Sequence, residues 1–322
     1  MAYSYLTMLD IAKTNGSDVT VGLVEENLNA APEAAILPAR TIKGTSFKTL
    51  VRTAYPTTSF RSPNGSTQPT KSTYVNKMFE TFYYDGQMEV DNAVATADDQ
   101  GPDHAMAMEA DGHGRAFLLK AGSQVWYGTG TNGDALGFPG AHDIVAGNTT
   151  LLIDATGTTA STAGSVYAIV ALPKFFELIL GNDTVLNVGQ WRMQSITRTV
   201  NAVAGEVTAW KNSLEGWIGA AFYSKWAVGR IKNLTADVGK GLTDTLLATL
   251  LAAFPVGVKP THFFMSRRSR KQLQISRTVT LYGGPGGVKP GSNLATIAPV
   301  PTEYDGIPII ATDSILDTEA IE

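Results

Sequence analysis

Cysteine is missing from the 322 residues, which excludes disulfides, thiolate zinc sites and a cysteine nucleophile. Histidine is scarce as well. Only His104, His113, His142 and His262 carry an imidazole, so metal ligands and general bases are few. Charged side chains make up 17% of the chain against about 25% in ordinary soluble domains, so much of the surface must be uncharged. No apolar run approaches the ~18 residues of a membrane span, and the start MAYSYLTMLD has no basic stretch leading into an apolar one. These absences predict a soluble protein made in a cytoplasm, with no membrane partner, no cofactor, no metal and no catalytic residue. Glycine, by contrast, is abundant at 32 residues, and the length suits about two domains.

The charges that are present are segregated. Residues 35–79 hold Arg40, Lys43, Lys48, Arg52, Arg61, Lys71 and Lys77 and no acid, seven positive charges against none. Residues 80–114 hold Glu80, Asp85, Glu89, Asp91, Asp98, Asp99, Asp103, Glu109 and Asp111 and no Lys or Arg, nine negative charges against none. Two unlike solvated faces are one reading. The other is self-association, in which the basic block of one copy meets the acidic block of the next and charge sets the register of docking. On that reading the inter-subunit residues are Arg52, Arg61, Lys71 and Lys77 against Glu80, Asp98, Asp99 and Asp103.

Within the basic block, β-rich arms at 45–55 and 74–84 flank a tip at 56–70 made of Thr, Ser, Pro, Asn and Gly, with Asn64-Gly65 inside it. This spacing predicts a long two-stranded ribbon. Such a ribbon is marginal in water by itself and needs a surface to lie on. Gly101-Pro102-Asp103 then opens a helix, with Pro at its first position and an acid in its first turn. Met106, Ala110, Gly114, Phe117, Ala121 and Val125 continue one stripe, predicting a helix from 102 to about 122, about 30 Å long. Gly112 and Gly114 each cost about 1 kcal/mol against Ala there, which predicts close packing or a bend.

A Gly/Thr/Ala/Ser-rich connector at 147–164 leads to a buried strand at 165–172, and further strands fill 200–233. A helix begins at Thr243-Asp244 and is stopped by Pro255. A strand at 261–265 precedes Ser266, the cap of a helix over 267–274; a Gly/Pro loop at 282–291 precedes a last strand at 307–311. Strands mixed with segregated helices, without a βαβ period, indicate an α+β fold.

Motifs of known chemistry are weak. Gly128-Thr-Gly130-Thr-Asn-Gly133 matches GxGxxG, but Asp134 to Pro139 cannot open a helix, so a bound phosphate would meet no helix N-terminus. Gly239-Lys240 is followed by Gly241 and is not a phosphate-binding loop. Glu109 and His113, one helical turn apart, read as a surface pair. Arg267, Arg268, Arg270 and Lys271 crowd positive charge into a first helical turn, where the helix dipole disfavours it. They are candidates for anion or DNA contact, against a solvated face or pairing with local acids. Trp191, Trp210, Trp217 and Trp226 could form sugar platforms, or serve as core at strand-like spacing.

The order of these parts is familiar. A helical N-terminal arm is followed by the ribbon from Arg52-Thr-Ala-Tyr-Pro to Gln68-Pro-Thr-Lys71-Ser-Thr. An acidic stretch then runs into one long helix, and Trp126-Tyr-Gly128 leads to Leu136-Gly-Phe-Pro-Gly. This series resembles a podovirus-type major capsid protein of the tailed bacteriophages. Gly229-Arg-Ile-Lys-Asn-Leu234, Phe264-Met-Ser-Arg-Arg-Ser-Arg-Lys-Gln-Leu273 and Tyr304-Asp-Gly-Ile-Pro-Ile-Ile-Ala-Thr-Asp313 resemble further segments of that family.

The resemblance implies the Hong Kong 97 phage-like capsid fold. Its parts would be an N-terminal arm (1–39), an extended loop (40–79), a peripheral domain with a spine helix (80–164) and an axial domain (165–322) with strands returning to the peripheral domain. It implies hexamers and pentamers of an icosahedral virion shell around double-stranded DNA bound without sequence specificity, assembled in a bacterial host cytoplasm. Scaffolding, portal and cementing proteins are further implied partners. Some relatives crosslink through Lys and Asn; Lys71 and Lys77 are present here, but no partner is recognisable. An encapsulin-like compartment protein of the same fold, and a β-rich carbohydrate-active enzyme or binding module, remain as alternatives.

Overall fold

The computed structural model describes residues 6–15, 26, 28–183, 187–200, 203–277, 279–281, 294–296 and 298–322; the loop expected at 282–291 lies outside the described residues. Alternation in the basic block produces two strands, Ser46–Ala54 and Thr73–Glu80, paired antiparallel from Ser46↔Glu80 to Ala54↔Thr73. The second arm ends sooner than the expected residue 84. Thr81 is buried, its amide donates to the Thr45 carbonyl at 2.8 Å, and the chain crosses there into another sheet as Phe82–Asp91.

That sheet has six strands. Ala39–Thr41, Phe176–Leu180, Val203–Phe222 and Phe82–Asp91 lie side by side in this order, and Asn187–Val188 and Arg192–Val200 also pair with Val203–Phe222. The twenty-residue strand is the common partner. Phe176–Leu180 and Val203–Phe222 thus join the sheet that holds the earlier strands Ala39–Thr41 and Phe82–Asp91.

The helix across this sheet is Pro102–Tyr127, 26 residues and about 39 Å long. Gly101 precedes it with φ 95°, a conformation that suits glycine, and Pro102 starts it without losing a hydrogen bond. Phe117 is buried against Met88 and Leu214, and its ring meets Tyr84 edge-on at 4.7 Å. The helix runs past the expected residue 122 because Val125, Trp126 and Tyr127 are all buried. The expected close packing at Gly112 and Gly114 is absent: a Cβ at either position would meet nothing within 4 Å. Both glycines face open space.

A second sheet orders Glu303–Tyr304, Ile307–Ala311, His262–Met265, Gly164–Ile169, Val228–Leu234 and Leu152–Asp154. Every residue of Gly164–Ile169 is buried, as its apolar run predicts. Two capped helices cover this sheet. Thr243 accepts from the Leu246 amide ahead of Asp244–Ala252, and Ser266 accepts from the Ser269 amide ahead of Arg267–Ser276. Leu247, Leu250 and Leu273 then pack on Phe263 and Met265.

Where the long helix ends, its core joins the two sheets. Trp126, fully buried, stacks on Tyr167 at 5.1 Å and touches Phe264. Its indole donates to Glu33 Oε1 at 2.7 Å, and Thr312 donates to the same oxygen at 2.5 Å. Burial pushes the Glu33 carboxyl above its ordinary range, against the lowering effect of these donors. Glu33 thus ties the short helix Glu33–Ile36, the long helix and Thr312 together.

Candidate inter-subunit surfaces

The register of the ribbon sorts its side chains. Phe47 and Phe79 form one opposed pair, with rings 5.5 Å apart, and with Tyr223 they pack on Ile42, Ile179 and Ala221 of the body. Arg40 lies over the Phe47 ring at 4.6 Å and pairs with Glu177 at 3.1 Å. This is the root. Because side chains alternate along a strand, the pairs Lys48↔Met78, Leu50↔Asn76 and Arg52↔Tyr74 point to the other face. Leu50, Tyr74 and Met78 there are exposed.

The predicted cations occupy different stations. Lys77 belongs to the root: its ammonium donates to the Tyr223 carbonyl at 3.2 Å, and burial lowers its pKa. Arg52 reaches the Tyr74 hydroxyl at 3.2 Å and lies over the Tyr55 and Tyr74 rings. Arg61 turns back at the tip to the Gly65 carbonyl at 2.8 Å. Lys71 is exposed beside the tip.

The acids divide too. Glu80 is exposed at the ribbon root, and Asp103 is exposed in the first turn of the long helix. Asp99 is exposed, with its amide held by Asn15 Oδ1 at 3.0 Å. Asp98 corrects the expectation. Its side chain is 1% exposed and pairs with His104 Nδ1 at 3.0 Å, so it organises the approach to its own helix and cannot meet another copy. Hydrogen bonds from His104 and the Gln100 amide hold its pKa low against burial, which raises it. Glu89 and Asp91 are likewise committed, to Arg198 at 2.6 and 3.1 Å.

The basic helix Arg267–Ser276 also needs correcting. Arg268 donates to the carbonyls of Thr162, Leu234 and Asp317 at 2.8–3.1 Å and pairs with the Asp317 carboxylate at 3.3 Å. It braces the second sheet and is not available to an outside anion. Lys271 reaches Gln274 at 2.8 Å but stays exposed, Arg267 is exposed and Arg270 half-buried.

Other motifs fall into structural roles. Gly128 ends the long helix at φ 58°, where a Cβ would collide with the Asp143 carboxylate, and the GxGxxG stretch is a tight turn, as its context predicts. His113 Nδ1 contacts the Glu109 carbonyl at 2.9 Å. Among the described residues no His/Asp/Glu group could hold a metal, and no helix is long and apolar enough to cross a membrane. The tryptophans at 191, 210, 217 and 226 are half-buried; Trp210 donates to Asn92 and Trp217 meets the Tyr83 ring edge-on. Charge counting missed a buried network: Arg230, 4% exposed, pairs with Glu319 at 3.1 Å and Glu322 at 2.7 Å, and Glu322 also meets His142 at 2.9 Å. It also passed over the fully exposed Phe60 and the 81% exposed Tyr55, aromatic rings placed among polar tip residues.

A family model described as major capsid protein GP7 matches residues 35–321. No curated protein sequence matches the chain. A near-atomic structure of bacteriophage epsilon15 shares 17% identity with it over 99% of this chain and 98% of that one, with a TM-score of 0.68. The two have the same fold, the α+β capsid architecture expected from the resemblance. The bacteriophage JBD30 capsid (8% identity, 94% and 97% covered, TM-score 0.48) and the capsid of the myovirus XM1 (11%, 69% and 98%, 0.47) are more distant in structure.

Proposed function

The chain belongs to the major capsid protein GP7 family and is a viral capsid subunit, a structural protein and not an enzyme, and on that premise we propose that its copies build the icosahedral shell of a tailed bacteriophage from hexamers and pentamers. The shell encloses double-stranded DNA and forms in the host cytoplasm, with scaffolding, portal and cementing proteins as further partners. Residues 1–39 act as the arm, 40–79 as the extended loop, and 80–164 with the returning strands as the peripheral domain. The rest of 165–322 forms the axial domain.

The ribbon carries this reading. Its apolar packing on the body, among the described residues, is at the root, and its outer face bears exposed Leu50, Tyr74 and Met78 among cations. A two-stranded ribbon with that much uncovered apolar surface is stabilised by lying on something else, and in a self-assembling shell that is the neighbouring copy. Arg52, Arg61 and Lys71 are its charged contacts, and Glu80, Asp99 and Asp103 their counterparts. Arg267, Arg270 and Lys271 supply non-specific attraction for packaged DNA. Deleting residues 59–66 is expected to leave a folded monomer that assembles poorly by electron microscopy and sedimentation. Normal particles from that deletion would refute the proposal.

A further inference from the structure

The ribbon carries aromatic surface that its own chain never covers. Phe60 is fully exposed, beyond a paired stem that runs from Ser46↔Glu80 to Ala54↔Thr73, roughly 27 Å at the ~3.4 Å rise of an antiparallel strand. A ring held in water that far from the body does nothing for the stability of its own subunit. Buried aromatic anchors that fill pockets are, however, the commonest source of binding energy at interfaces.

A pocket of matching character lies at the root of the same ribbon. Phe82, Tyr84 and Phe138 line one lobe, with Leu136 exposed beside it. The second lobe runs past Met78 and Ile144. The two lobes share Phe82, a furrow with apolar lining from Leu136 and Phe138 to Met78 and Ile144. The tip stands at the far end of the stem from this furrow, so the occupant is not the chain's own Phe60.

Charge selects the occupant. From residue 46 to residue 73 the ribbon has Lys48, Arg52, Arg61 and Lys71 and no acid. Around the furrow stand Glu80, Asp85 and Asp134 against two lysines, Lys120, which pairs with Asp134 at 3.0 Å, and Lys77, whose ammonium donates to the Tyr223 carbonyl at 3.2 Å. The remaining balance is negative where a basic tip would arrive. Apolar ring and opposite charge coincide.

We infer that Phe60 of one copy seats in the furrow of the neighbouring copy, next to Leu136, with Arg61 and Lys71 facing Glu80 and Asp85. This rests on the proposed exchange of ribbons between copies and names where the ribbon ends. Tip and furrow are different patches of one chain, so the contact is head-to-tail, and repeated by rotation it closes a ring.

The absence of cysteine makes the test clean. Particles carrying both Phe60→Cys and Leu136→Cys, treated with a short flexible bis-maleimide and then denatured, should give a ladder of linked chains that ends at one ring, whereas neither single variant should. In particles of Phe60→Cys alone, the thiol should react about tenfold more slowly than in unassembled subunits, as for a site open about a tenth of the time. A thiol as reactive in the particle as in the free subunit, or one protected without any ladder, overturns the seat while leaving ribbon exchange standing. Failure of the unsubstituted protein to form particles would count against the shell reading instead. Should the double variant not assemble, co-assembled single variants must give linked pairs, and their absence overturns the inference equally.

Discussion

Glu33 is a buried carboxylate and Glu322 an exposed one held by His142 and Arg230, and they respond to pH in opposite senses. The hydrogen bond with His142, helped by Arg230 and opposed by burial, holds the Glu322 carboxyl at about 2 instead of its ordinary 4.5. A group whose pKa is depressed on folding stabilises the protein above its unfolded pKa, and that contribution is lost as pH falls through the folded value. Acidification from 4.5 towards 2 should therefore remove it. Thermal melts of wild type and Glu322→Gln should differ at pH 6 and converge near pH 2. Glu33 is raised by burial, so its protonated form is favoured by folding and its contribution fades as pH rises through the raised value. Phe117 tests packing alone. At 8% exposure, and with Met88, Leu214 and Tyr84 around it, Phe117→Ala should cost about 3 kcal/mol in urea unfolding of unassembled subunits.

The long helix shows an element carrying a cost that its own subunit does not require. Gly112 and Gly114 lie in its interior with nothing within 4 Å of either Cβ position. Replacing each by Ala should stabilise the free subunit by roughly 0.5–1 kcal/mol, read from the denaturation midpoint. The neighbouring elements show how far local signals reach. Thr243, Ser266 and Pro102 are start signals chemically complete in a few residues, and the helices begin where those residues stand. The ends are less legible. The long helix continues to Tyr127 because Trp126 finds Glu33, 93 positions away, and the ribbon arm stops at Glu80 because Thr81 is claimed by Thr45.

For the whole molecule, assembly should be sensitive to salt in rate more than in final stability. Exposed ion pairs contribute only about 0–1 kcal/mol each, and the screening length at 0.15 M salt is about 8 Å, so steering weakens while apolar contacts persist. Raising salt should slow the appearance of particles in light scattering without dissolving finished ones. Reversing Arg61 and Lys71 to Glu should block assembly, and adding Glu80→Lys with Asp85→Lys should partly restore it. Equal assembly of all three forms at every salt concentration would leave the segregated charges as solvated faces.

Composition, the sign of each block and the periodicity of the apolar positions determined the α+β class, the ribbon, the long helix and the strands near 165–172, 261–265 and 307–311, because each depends on residues close in sequence. Which charges reach the surface was decided by the tertiary structure. Asp98 and Asp99 are adjacent and chemically alike, yet one is buried on His104 and the other is exposed. Arg267 and Arg268 differ in the same way, one outside and one braced on three carbonyls from distant parts of the chain. Burial and pairing depend on what other segments bring within a few ångströms, and charge order along a chain carries no record of those neighbours.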